Sequence, residues 1–174
     1  RTQQVTAAVD RLRREGADII DLGAGEPDAP TPGHIKAAAV VALDQDFTRY
    51  TVGAGIVGLR DAIGEHYETR CGVRYARDQI VVTSGGKQGL FNVSMALFGP
   101  GDEVVTHVPG WPSIPEQIKL AGATPVLTRT HAEEGFRLRA EPLLDAVTPR
   151  TRGIVINSPG NPTGALISED ELRR

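Results

Sequence analysis

Chemistry-bearing residues gather in a few short, glycine- and proline-rich segments. The first is Thr83-Ser84-Gly85-Gly86-Lys87-Gln88-Gly89-Leu90. The apolar run Ile80-Val81-Val82 before it reads as a strand, and the residues after it read as a helix. A strand that turns through two glycines directly into a helix leaves backbone N–H groups at a helix N-terminus, where the dipole favours an anion such as phosphate. Gly85 and Gly86 let the backbone approach such a ligand closely because no Cβ intervenes. An ordinary tight strand-to-helix turn uses the same residues, and this segment alone leaves both readings open. It is not a P-loop: Gln88 follows Lys87 where Ser or Thr is required, and Val81 stands where the earlier glycine belongs.

Two further segments carry donors or a flat ring. Asn157-Ser158-Pro159-Gly160-Asn161-Pro162-Thr163-Gly164 follows a strand expected at 153–157, and its prolines and glycines fix the loop that holds the amides of Asn157 and Asn161. Val108-Pro109-Gly110-Trp111-Pro112-Ser113 follows a strand expected at 102–106. Its tryptophan, the only one in the chain, could stack on a planar ligand or simply pack. Both loops would lie at carboxyl ends of strands, the edge at which open α/β sheets bind ligands. Gly53-Ala54-Gly55-Ile56-Val57-Gly58 matches a dinucleotide fingerprint. Residues 47–52 before it do not form the apolar strand that this fingerprint requires, so it reads as a glycine-rich loop entering a helix.

The elements needed to position these segments follow from periodicity. Helices are expected over 3–15, 33–43, 57–70, 87–98, 113–121 and 141–147. Strands are expected at Asp18–Leu22 and Ile80–Val82 and over 102–106, 124–127 and 153–157. Leu90, Phe91, Val93, Met95 and Leu97 make the helix over 87–98 apolar on most sides, which predicts that it is buried. Alternating strands and helices define the fold class as α/β, with a mostly parallel sheet flanked by helices. The alternation is weaker at the start of the chain, where a separate arm or smaller domain is expected.

Bulk properties exclude several classes. The 174 residues are 40% hydrophobic and 24% charged, with a net charge of −3. That balance gives no reason to expect nucleic acid or an anionic membrane as a partner, and no apolar run reaches spanning length. The single cysteine, Cys71, admits no internal disulfide and fits a reducing, cytoplasmic setting. Ser168-Glu169-Asp170-Glu171 is a helix start three residues before the last residue, Arg174, and this suggests a fragment of a longer chain.

Taken together, the segments resemble the class I/II aminotransferases, pyridoxal-phosphate-dependent enzymes of fold type I. The resemblance rests on the order Gly23-Ala24-Gly25-Glu26-Pro27-Asp28, Arg49-Tyr50, Ser84-Gly85-Gly86-Lys87-Gln88, Pro109-Gly110-Trp111 and Asn157–Gly164. It implies that the cofactor is pyridoxal 5'-phosphate and that the substrates are an amino acid and a 2-oxo acid. By the same resemblance, Gly25 meets the substrate carboxylate through its backbone, and Gly85, Gly86 and Lys87 hold the cofactor phosphate. Trp111 stacks on the pyridine ring, and Asn161 hydrogen-bonds the cofactor 3-hydroxyl. Tyr50 reaches the phosphate of a neighbouring subunit, so a homodimer is implied. Residues 1–35 would be the arm and part of a small domain, and 36–174 a cofactor-binding large domain truncated at its C-terminal end.

The family's catalytic, Schiff-base lysine has no match among Lys36, Lys87 and Lys119 and is expected beyond Arg174. The acidic partner of the pyridine nitrogen and the substrate-binding arginine are expected there too, so this fragment alone should be inactive. A carbon–sulfur lyase of the same fold, or a non-catalytic aminotransferase-like regulatory domain, would share these front segments. No helix-turn-helix or basic region supports the regulatory reading.

Overall fold

Glu103-Val104-Val105-Thr106-His107-Val108 forms the central strand, β1 (Glu103–Val108), of a three-stranded parallel sheet. β-branched residues favour this pleated, doubly covered position. The computed structural model describes residues 2–21, 23 and 25–174. β1 is flanked by β2 (Thr124–Arg129) and β3 (Thr151–Val155), giving the order β2-β1-β3. Glu103 is in register with Thr124 on one side and Thr151 on the other, and the β1–β3 ladder is irregular between Glu103 and Val104.

Val104 and Val105 are fully buried on opposite sheet faces, as the two-residue period of a strand requires. On the Val104 face lie Ile114 and Ile118 of α5 (Ser113–Leu120), with Ala123, and Phe98, Trp111 and Val155 pack around them. On the Val105 face lie Leu138 and Leu143, the latter from α6 (Ala140–Asp145), with Val126 and Ile167 against them. The chain leaves β1 toward β2 through α5, then returns through α6 past β1 to β3. Right-handed crossovers that run in opposite directions must place their helices on opposite faces, as these are.

The remaining helices are α1 (Thr2–Arg14), α2 (Gly33–Asp44), α3 (Val57–Cys71), α4 (Gly85–Leu97) and α7 (Glu169–Arg173). The chain divides into two compact units, residues 1–50 and 51–174. In the first, α1 half-buries Val9 and Leu12, and α2 carries no buried residue. In the second, Arg77 forks onto both carboxylate oxygens of Asp61 at 2.7 Å and ties α3 to the following turn. That contact holds the Asp61 carboxyl below its usual range. At the far end, Ser168 caps α7 by accepting the Glu171 N–H, as its helix-start pattern predicts.

Three expectations need correction. Residues 18–21 form no strand, while Leu22 lies outside the described residues, as does Ala24 of the following loop. Ile80–Val82 is not a strand either. Val82 donates its N–H to Ala54 at 2.9 Å, so the segment lies along the glycine-rich loop instead of entering a ladder. α4 is not buried: Val93, Met95 and Leu97 are about half exposed, and only Ser94 is covered.

Candidate active site

The sheet places both proline-bracketed loops at its carboxyl edge. β1 runs into Pro109-Gly110-Trp111-Pro112, and β3 into Ile156-Asn157 and the loop that ends at Gly164. The direction of connection reverses around β1, the topological position at which a ligand crevice opens in α/β sheets.

Backbone geometry explains why glycines occur in these loops. A Cβ on Gly110 would lie 2.5 Å from the His107 carbonyl oxygen, and one on Gly160 would lie 2.8 Å from Thr163 Oγ1. Hydrogen bonds then set the second loop. Asn157 Oδ1 accepts the Asn161 N–H at 3.0 Å, Ser158 Oγ accepts the Ile167 N–H at 3.1 Å, and Gly160 N–H donates to the Ala165 carbonyl at 2.8 Å. The Asn161 side-chain amide has no partner among the described residues. The Val108–Pro109, Ser158–Pro159 and Asn161–Pro162 peptide bonds are cis.

The turn into α4 begins at Thr83, whose hydroxyl donates to the Gly85 carbonyl at 3.0 Å. Gly85 has a left-handed φ of +76°, a conformation that glycine adopts at little cost. Ser84 makes no side-chain cap; instead its own N–H donates to Gln88 Oε1 at 2.5 Å. The Gly85 N–H donates to the Thr83 carbonyl at 2.8 Å, and the N–H groups of Gly86 and Lys87 are left as the open donors of the helix start.

Lys87 and Trp111 are brought together. The Lys87 ammonium stands 5.4 Å from the Trp111 ring centroid, within cation–π range. Lys87's carbonyl accepts Gln117 Nε2–H at 3.0 Å, tying α4 to α5. A groove of about 530 Å³ opens between them, lined by Ser84, Lys87 and Phe91 on one side and Ser113, Gln117 and Leu120 on the other. Trp111 is half-buried and packs against the Val104–Ile114–Ile118 cluster, as the packing reading of it requires.

The other expected site residues lie in the first unit. Gly25 is exposed with open space where a Cβ would stand, and Tyr50 projects fully into solvent. In the second unit, no strand precedes Gly53–Gly58, and Gly55 (φ +101°) is packed so tightly that a Cβ would lie 2.6 Å from Val82 Cγ2. Close packing accounts for that glycine without a nucleotide.

Sequence reasoning missed His107. It is buried at the end of β1, where Asn157 donates its N–H to Nε2 at 3.4 Å. It thereby links the two loops. Its position at the end of an apolar strand was the available signal.

The chain belongs to the class I and II aminotransferase family, whose model matches residues 17–174. It is 45% identical over 172 residues to a probable aspartate/prephenate aminotransferase of Thermus aquaticus, covering 99% of this chain and 45% of that protein. It is 47% identical over 171 residues to the aspartate/prephenate aminotransferase of Cereibacter sphaeroides, covering 98% of this chain and 43% of that protein. Among solved structures, Thermus thermophilus aspartate aminotransferase with maleate superimposes with a TM-score of 0.93 at 45% identity, covering 98% of this chain and 45% of that one. The chain thus spans a little under half the length of the relatives it matches. Among the described residues, no helix is long and apolar enough to cross a membrane.

Proposed function

We propose that this chain is the front part of a pyridoxal-phosphate-dependent aminotransferase that moves an amino group between an amino acid and a 2-oxo acid. The observation that carries the reading is the convergence of the uncapped α4 turn and Lys87 on Trp111, beside the loop of Asn161. The residues fit the cofactor in chemistry. The open N–H groups of Gly86 and Lys87 and the Lys87 ammonium suit a phosphate, an indole face suits a pyridine ring, and an unpartnered amide suits a ring hydroxyl. When bound, pyridoxal phosphate supplies an electron-withdrawing ring that stabilises charge at the substrate α-carbon.

The roles of this chain's residues are then positional. Gly85, Gly86 and Lys87 anchor the phosphate, and Trp111 holds the ring plane from one side. Asn161 donates to the 3-hydroxyl oxygen and fixes the rotation of the ring. Gly25 offers its backbone to the substrate carboxylate. Tyr50 serves the neighbouring active site in a homodimer, a role for which full exposure suits it. Residues 1–35 form an arm and part of a small domain, and 36–174 the cofactor-binding domain. The lysine that carries the cofactor covalently, and the proton at the α-carbon, belongs to the remaining length that the relatives possess. A cytoplasmic location is part of the same proposal.

The names of the relatives make aspartate and prephenate the first donor and acceptor to assay. The full-length protein, loaded with cofactor, should convert this pair by a ping-pong cycle. Release of ammonia without an aminated acceptor would overturn transfer in favour of the lyase reading. Mass measurement in solution tests the homodimer.

A further inference from the structure

At the carboxyl end of β2 the chain folds a second concave site whose lining is basic. Arg129, Arg137, Arg139 and His131 surround a pocket of about 280 Å³, with Leu138 and Pro142 among its walls. The one carboxylate lining it is Glu134. Glu134 lies 3.9 Å from an Arg139 guanidinium nitrogen, with both side chains about half exposed. An ion pair so long and so wet neutralises little. The guanidinium groups of Arg129 and Arg137 have no acidic or hydrogen-bonding partner among the described residues. His131 Nδ1 lies 3.8 Å from a Glu133 carboxylate oxygen.

The backbone holds this arrangement at some cost. Gly135 and Phe136 are both left-handed, with φ of +63° and +56°, and a bulky non-glycine residue rarely adopts that conformation. His131 compensates by accepting the N–H groups of Glu134 and Phe136 at 3.2 and 2.8 Å. The reversal brings Arg137 and Arg139 back beside Arg129. Strain kept where a loop presents side chains is a mark of binding sites. The nearby hydroxyls are already committed: Thr128 and Thr130 donate to the carbonyls of Thr106 and Val108, both at 3.3 Å. The donors left free are guanidinium N–H groups, whose planar fork matches a carboxylate or phosphate.

We propose that Arg129, Arg137 and Arg139 form a binding site for a small oxyanion, a ligand bearing a carboxylate or phosphoryl group. The pocket lies at the small end of the range for ligand sites, which suits a compact acid. A ligand there would act on the loop that holds Trp111 through Thr130, whose N–H donates to the Val108 carbonyl at 2.8 Å. The inference does not rest on the transferase reading, so the two can fail separately.

The test is calorimetric titration of the full-length, cofactor-loaded protein with inorganic phosphate and, separately, with succinate. Saturable binding is expected for at least one probe, and whichever binds identifies the phosphoryl or the carboxylate source. Arg129→Gln combined with Arg137→Gln should weaken that binding by about tenfold. Glu134→Gln, which removes the lining carboxylate, should tighten it. All three side chains are exposed, and an unchanged melting temperature would confirm that the variants fold. Binding at any other place, including the turn at Gly85–Lys87, would survive the double substitution. No saturable binding of either probe, or an affinity unmoved by the double substitution, would overturn the proposal.

Discussion

Asn157 Oδ1 accepts the main-chain N–H of Asn161 at 3.0 Å, so one asparagine sets the backbone from which the other projects. Asn157→Ala removes this bond, worth about 1 kcal/mol, and should loosen the loop enough to weaken cofactor affinity in the full-length protein roughly fivefold. Asn157→Asp keeps an acceptor oxygen and should retain most of the affinity. Titration of the apoenzyme with pyridoxal phosphate, followed by absorbance, measures both. Asn161→Ala should weaken binding and shift the absorption spectrum as well; an unshifted spectrum would remove Asn161 from the site.

Trp111 separates packing from stacking by size and by ring. Trp111→Ala should lose about 2 kcal/mol of stability, since the indole is only half-buried on the Val104 face, and should also impair cofactor retention. Trp111→Phe keeps an aromatic face and should restore retention more fully than stability. Chemical denaturation and cofactor loss on dialysis give the two readouts. If retention tracks stability in both variants, Trp111 is a packing residue only.

Gly110 tests the close turn after β1. A methyl group placed 2.5 Å from the His107 carbonyl oxygen meets backbone, not a flexible side-chain end. Gly110→Ala should therefore destabilise by about 1–3 kcal/mol or displace the Trp111 loop. Gly153→Ala, whose Cβ would stand 3.2 Å from the edge of the Phe98 ring, should cost less because a ring can shift. The difference in denaturation midpoint between the two variants checks this order.

Acid stability should depend on Glu103. Its side chain is 10% exposed and pairs with Arg150, while the Thr148 hydroxyl donates to its other oxygen at 2.5 Å. These contacts, the Thr148 hydrogen bond foremost and Arg150 after it, hold the carboxyl below the usual carboxylate range. A carboxyl with a lowered folded-state pKa contributes stability that is complete above the unfolded value and is lost as pH falls through the folded value. The full-length protein should therefore lose stability on acidification through and below the ordinary glutamate range. Glu103→Gln should be less stable at neutral pH and flatter in that acid window. Equal slopes in the two proteins would show that Glu103 does not contribute.

What the sequence made legible was local. The periods of α2, α3, α5 and α6 and the β-branched runs of β1 and β3 reflect forces acting within a few residues, and their limits came out within a few positions. Ile80–Val82 failed because an apolar run reports a preference for burial, while a strand also needs a neighbour to bond. The helix of α4 was legible but its burial was not, for a related reason: apolar side chains specify a need for cover but do not supply it. Long-range pairs such as Glu103 with Arg150, and His107 under Asn157, have no sequence-local signature at all. The basic pocket left only a faint one, the arginines at 129, 137 and 139 around a glycine.

The order β2-β1-β3 also bears on how the sheet assembles. Glu103 is in register with both Thr124 and Thr151, but the chain that must be closed to reach Thr151 is more than twice as long. Each doubling of a closed loop adds roughly 0.6 kcal/mol of entropy cost, so the β1–α5–β2 crossover is the natural nucleus and β3 docks onto it afterwards. The loop carrying Asn161 hangs from β3. The half of the ligand crevice built on β1 therefore exists before the other half arrives, and amides of β3 should gain protection from hydrogen exchange later than those of β1 during refolding of the full-length protein.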